Sequence, residues 1–104
     1  MLEDAPNASL EIGRSVVSMR IVMKPIEAIT THSKEGVIRP EKYKIIEGEE
    51  TIVVRIDKIL TRSEEKSVGC RELIFNCQGV INGYIKNFEL KYRVPECKWF
   101  LYRI

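Results

Sequence analysis

The sequence predicts an all-β fold, a small antiparallel meander of five or six strands curled into a barrel or half-barrel. Three observations predict it. From Ile21 onward, β-branched and aromatic runs follow one another, separated by Gly, Pro and Asn punctuation. No window carries a sustained helical period. Two turn dipeptides, Gly48-Glu49 and Asn82-Gly83, set registers that sort the flanking side chains onto two distinct faces.

The first strand is expected over Ile26 to Thr31, ended by Ser33-Lys34-Glu35-Gly36. The second runs from Ile38 to Ile46. Pro40 marks it as an edge or a late start, because proline has no N–H to give to a central ladder. A third strand covers Thr51 to Leu60. The stretch from Arg62 to Gly69 reads as the longest polar connection, with room for one helical turn. Strands four, five and six are Arg71 to Ile81, Tyr84 to Val94 and Cys97 to Ile104.

A two-residue loop at Asn82-Gly83 pairs Cys77 with Phe88, Phe75 with Leu90, and Leu73 with Tyr92. The opposite face then pairs Asn76 with Glu89, Gln78 with Asn87, and Glu72 with Arg93. A slip of one residue would invert both faces at once. At Gly48-Glu49 the same construction opposes Ile45 to Ile52 and Tyr43 to Val54. The predicted core is therefore Leu73, Phe75, Cys77, Phe88, Leu90, Tyr92, Ile52 and Val54.

The last strand is two-sided. Cys97, Trp99 and Leu101 alternate with Lys98, Phe100, Tyr102 and Ile104. A two- or four-residue loop over Pro95-Glu96 sends Trp99 and Leu101 inward beside Tyr92 and Leu90. A three-residue loop would turn Phe100, Tyr102 and Ile104 inward instead. Proline cannot adopt the positive φ of a two-residue primed turn, so both registers stay open.

In the first register, one outer face carries Phe100, Tyr102, Ile104 and Ile74, flanked by Lys91, Arg93 and Lys98. These seven residues are the candidate binding surface. Aromatic side chains among bases can stack nucleobases, each stack contributing about 1–3 kcal/mol. A second reading has the face covered by the segment Val16 to Met23 or by a second copy of the chain, because large exposed apolar patches are rare in monomers, and a third has it hold a protein ligand or a small apolar molecule.

Length and composition set the remaining bounds. The chain has 104 residues, 44% of them hydrophobic and 31% charged, which fits one globular domain. A net charge of +2 is weak support for nucleic acid. No run is long enough to cross a bilayer, so no membrane role is expected. The acidic start Met1-Leu2-Glu3-Asp4 is unlike a signal peptide, and the expected compartment is the cytoplasm. Residues 1–20 read as a flexible extension and 21–104 as a single β-domain. Gly13-Arg14-Ser15 can be encoded by a purine-rich stretch resembling a ribosome-binding site. The extension is therefore either a translated leader before a natural start at Met19 or Met23, or an ordinary flexible tail.

No catalytic, metal or cofactor motif is present, and no enzyme activity is expected. His32-Ser33 are strand neighbours that point to opposite faces. Glu47, Glu49, Glu50, Glu64 and Glu65 lack the spacing of a calcium loop. Gly69, Gly79 and Gly83 form no phosphate cradle. Cys70, Cys77 and Cys97 contain no Cys-x-x-Cys pair. With His32 they could make a Cys₃His zinc set, against which reduced cysteines in or near the core are the simpler account.

The segment Lys24 to Ile104, with K-P-I-E, I-N-G, F-E-L-K-Y and C-K-W-F-L-Y-R, resembles a group of small uncharacterised bacterial proteins. In these a short β-domain begins Pro-Ile-Glu and ends in a Trp-rich strand. The resemblance covers about the last four-fifths of the chain and implies the β fold, with no established activity. Its start near Met23 favours the late translation start. The expected function is thus a non-enzymatic protein-interaction or dimerisation module, with a weak single-stranded nucleic-acid binder as the alternative.

Overall fold

The structure is a computed structural model that describes residues 19–104. The readings placed on residues 1–18 (extension, leader and the start of a covering segment) lie outside the described residues. The fold is all-β. Among the described residues seven strands follow one another: β1 (Ile21–His32), β2 (Ile38–Glu47), β3 (Glu50–Arg55), β4 (Lys58–Ser67), β5 (Cys70–Ile81), β6 (Tyr84–Arg93) and β7 (Lys98–Arg103). They form one sheet in the order β3-β2-β1-β7-β6-β5-β4, and all six pairings are antiparallel.

The turn chemistry explains the hairpins. Asn82 and Gly83 both hold positive φ, as a type I′ turn requires, and every pairing derived from that turn is present. The register at Gly48-Glu49 is likewise as expected, with Ile45 opposite Ile52 and Tyr43 opposite Val54. Between β6 and β7 the chain makes a short 3₁₀ turn, Val94–Glu96, and Cys97 takes the left-handed conformation. That four-residue connection sets Tyr92 opposite Trp99 and Leu90 opposite Leu101. Of the two registers open to the last strand, the one that sends Trp99 and Leu101 inward is adopted.

Two strand assignments change. The single strand expected over Thr51 to Leu60 is two, broken at Ile56-Asp57. The polar stretch from Arg62 to Ser67 belongs to β4 and not to a loop. As an edge strand on β5, β4 keeps its ladder with ten residues of which nine are exposed. Pro40 is fully buried on an interior strand, yet its missing N–H costs no pairing. The β2–β3 ladder begins only at Lys42, so this part of β2 is locally an edge, and the β1–β2 register shifts between Ile29 and Thr30 beside it.

The strand count and the closure also need correction, because the sheet has seven strands and stays open. Among the described residues the two edges, β3 and β4, form no ladder with each other and are joined by the connection Ile56-Asp57. The Ile56 amide donates to the Glu41 carbonyl at 2.9 Å and the Asp57 amide to the Gln78 carbonyl at 2.8 Å. The end of β3 passes over β5 and does not lie along β4. A Cβ placed on Gly79 of β5 would come 2.3 Å from the Arg55 carbonyl oxygen, so only glycine lets the two backbones approach. The sheet is curled enough to touch itself at one corner, and it forms no ladder there.

The core fills the concave side. Leu73, Phe75, Cys77, Phe88, Leu90 and Val54 are buried as expected, joined by Tyr43, Ile45, Ile56, Trp99 and Leu101. Tyr92 and Ile52 are half-buried against this cluster. The Tyr43 ring meets Phe88 edge-on at 5.5 Å between centroids, and Trp99 lies 4.7 Å from Tyr92 and 5.5 Å from Phe75. These contacts tie β2 to β6 and β7 to β5 across the curl. Burial pushes the Cys77 thiol up to about 12, with the Glu89 charge adding to the effect, so it stays a neutral core side chain at ordinary pH.

Candidate functional site

The outer face of β5, β6 and β7 is organised by two rows of cross-strand neighbours. Ile74, Lys91 and Phe100 form one row, and Glu72, Arg93 and Lys98 form the next. Between Glu89 and Leu90 the β6–β7 register shifts, so that Glu89 faces Arg103. The bulge puts Tyr102 and Arg103 together, with the Arg103 guanidinium 4.9 Å from the Tyr102 ring centre. Ile104 is turned by the same irregularity to pack against the core cluster. It therefore leaves the candidate surface on which simple alternation had placed it.

The remaining six candidates do come together, but they cover one another. The Lys91 ammonium sits 3.9 Å above the centre of the Tyr102 ring, and the Arg93 guanidinium 5.1 Å above Phe100. Lys91 Nζ lies 3.4 Å and Arg93 Nε 2.9 Å from the Glu72 carboxylate. Arg103 is 3.3 Å from Glu89, and Arg93 reaches Glu96 at 3.7 Å. Ile74 and Lys91 are themselves buried, while Phe100 and Tyr102 are half-buried and Lys98 is exposed. The hydrogen bond from Arg93, with the Lys91 charge beside it, holds the Glu72 carboxyl below its usual range.

This arrangement explains why a strand can carry apolar residues on both sides. Cationic side chains from β6 lay their stems and heads over the aromatic rings of β7, and two glutamates balance the charge. Each of the two rings on which a base would stack already has a cation over it. The second apolar set is largely covered from within its own sheet.

Sequence reasoning missed a different set of apolar residues. Ile29, Ile46 and Val53, on β1, β2 and β3, are more than half exposed. So are Val80 and Ile85, a directly opposed pair near the tip of the β5–β6 hairpin, and Tyr84 beside them. The signal was available in Ile45-Ile46 and Val53-Val54, where consecutive apolar residues on a strand force one of each pair outward.

A second missed feature is the free rim of β4. Among the described residues, β4 has a paired neighbour on one side only, and Arg62, Ser63, Glu64, Glu65 and Lys66 are exposed along it. Glu64 accepts two hydrogen bonds from the Arg71 guanidinium at 2.6 and 3.2 Å, and these hold its carboxyl below the usual range. No protein-family model, curated protein or solved structure matches the chain. What the surface does must follow from its own geometry.

Among the described residues no three His, Cys, Asp or Glu side chains converge as metal ligands. The three cysteines are unpaired: Cys77 is buried, Cys70 half-buried and Cys97 exposed. Among the described residues no helix is long and apolar enough to cross a membrane.

Proposed function

We propose that this chain is a non-enzymatic protein-interaction module of the cytoplasm, joining a second protein or a second copy of itself through its open sheet. The observation that carries the reading is the unpaired rim. A sheet whose two edges form no ladder with each other leaves backbone N–H and C=O groups along β4 without a strand partner among the described residues. Such a rim is a template for another strand. Three reduced thiols suit a reducing compartment.

The alternative, a weak single-stranded nucleic-acid binder, draws on the aromatic and basic character of Phe100, Tyr102, Lys91, Arg93 and Lys98. It is the poorer fit, because Glu72 and Glu89 sit among these bases and cations already lie over both rings. Two measurements on the purified protein separate the readings. Sedimentation equilibrium from micromolar to millimolar protein should show reversible self-association, and a labelled single-stranded oligonucleotide should show no saturable binding in low salt. A monomer that binds the oligonucleotide, with affinity falling steeply as salt rises through counterion release, would replace this reading with the alternative.

A further inference from the structure

Resting on the interaction reading, we infer that β4 pairs with β4 of a second copy in one register, with Ser63 on the two-fold axis. Three constraints lead there. The first is symmetry. Two identical edge strands join antiparallel about an axis normal to the sheet, which keeps the concave face of one copy continuous with that of the other. Residues facing each other across such a joint lie on the same side of the sheet, so their two numbers must sum to an even value.

The second constraint is hydrogen bonding. The β4–β5 hairpin closes on the pair Ser67 and Cys70 around the two-residue turn Val68-Gly69. A closing pair of this kind exchanges its backbone bonds across the hairpin, and the bonding then alternates along the strand. Ser67, Glu65 and Ser63 therefore direct their backbone groups to β5, and Lys66, Glu64 and Arg62 direct theirs to the free rim. A partner strand must bond at Arg62, Glu64 and Lys66.

Charge then chooses among the registers that remain. An axis at Arg62 would set Arg62 against its own copy. An axis at Glu64 would oppose Glu64 to itself and Arg62 to Lys66, and one at Glu65 would oppose that carboxylate to its copy in the closer, non-hydrogen-bonded position. An axis at Ser63 sets Arg62 against Glu64 twice and Thr61 against Glu65 twice, all within the regular stretch that ends at Thr61, because the β4–β5 register shifts at Leu60. No like charges then face each other. Each Glu64 would lie between its own Arg71 and the partner copy's arginine, which extends an ion pair already formed within the chain. Charged residues usually blunt a sheet edge. An axis at Thr61 would also avoid like charges, but it would run the joint through Leu60, where the β4–β5 register shifts, so on the regular part of the rim the order of charges favours the Ser63 register.

A charge-swap experiment tests this on the full chain by sedimentation equilibrium, with circular dichroism to establish that each variant is folded. Wild type is expected to dimerise in low salt and to weaken as salt screens the exposed pairs. Arg62→Glu and Glu64→Arg should each be monomeric alone, because each places like charges opposite one another at both symmetry-related positions. Mixed in equal amounts, the two variants should form a heterodimer, because both cross-strand pairs are again of opposite sign. As a geometric readout, Ser63→Cys in a Cys70→Ser, Cys97→Ser background should give a disulfide-linked dimer on mild oxidation. The axis brings that residue to about 4.5 Å from its copy, Cα to Cα, within disulfide range. Thr61→Cys in the same background should give little.

Dimers that persist unchanged in both charge variants would overturn the β4 interface while leaving the interaction reading standing. A wild-type monomer across the whole concentration range would overturn the self-pairing itself. If that monomer also binds the oligonucleotide, the interaction reading falls with it.

Discussion

Phe88→Ala is expected to lower the free energy of unfolding by about 3–5 kcal/mol, a large fraction of the 5–15 kcal/mol typical of a whole domain. Phe88 has no exposed surface, and it is one of the few large side chains buried completely. It faces Cys77 across the β5–β6 ladder and receives the Tyr43 ring edge-on from β2. Truncation thus removes the main side-chain contact between the two arms of the curled sheet and opens a cavity with rigid strand walls. Urea denaturation should show a lower midpoint with an unchanged slope. A loss below about 1 kcal/mol would show that Phe88 is not packed in the core as described.

The second large effect is expected from the smallest substitution. Gly79→Ala should destabilise by about 2–4 kcal/mol, combining overpacking with damage to the corner hydrogen bonds. Its Cβ would stand 2.3 Å from the Arg55 carbonyl oxygen. That atom is backbone and has no rotamer by which to retreat. Relief requires the Ile56-Asp57 link to lift, and with it the 2.8 Å bond from the Asp57 amide to the Gln78 carbonyl. Hydrogen exchange distinguishes this from the loss of Phe88. The Ile56 and Asp57 amides should lose protection first, whereas Phe88→Ala should lower protection across the core. Unchanged exchange at both amides would show that the crossover moves freely.

The parts of the fold legible in the sequence are those where turn chemistry and alternation agree. Asn82-Gly83 gave every pairing of its hairpin because the turn needs two positive φ angles and only one register sorts both faces. The break at Ile56-Asp57 had no such mark. Val54 and Ile56 continue one buried alternation through the corner, and neither Gly nor Pro interrupts it. The edge strand β4 was hidden for the opposite reason. Its neighbour β5 supplies the apolar face, so β4 can be nearly all polar and remain a strand.

The candidate surface was legible in its face assignment and less so in its exposure. Alternation placed Ile74, Lys91, Arg93, Phe100 and Tyr102 on one side of the sheet, and they are together there. Whether Lys91 extends into water or folds over Tyr102 depends on a rotamer and on Glu72 in the next row of the same face, and no local pattern encodes that. Ile104 was misplaced because a register shift beside Leu101 carries no residue signature of its own.

The neighbour relation of β1 and β7 has a mechanical consequence. Arg20 and Ile104 exchange backbone hydrogen bonds of 2.9 and 3.0 Å, and Ile21 faces Arg103 just inside them. Tension applied at these two points would therefore act across the rungs, at the same end of both strands. The ladder would unzip one pair at a time, each worth about 1 kcal/mol net, where a sheared ladder would share the load among all its rungs. The tear would run down the middle of the sheet, between Lys24 and Leu101, then Pro25 and Phe100, then Ile26 and Trp99. It would leave a three-stranded and a four-stranded piece tethered by Ile56-Asp57.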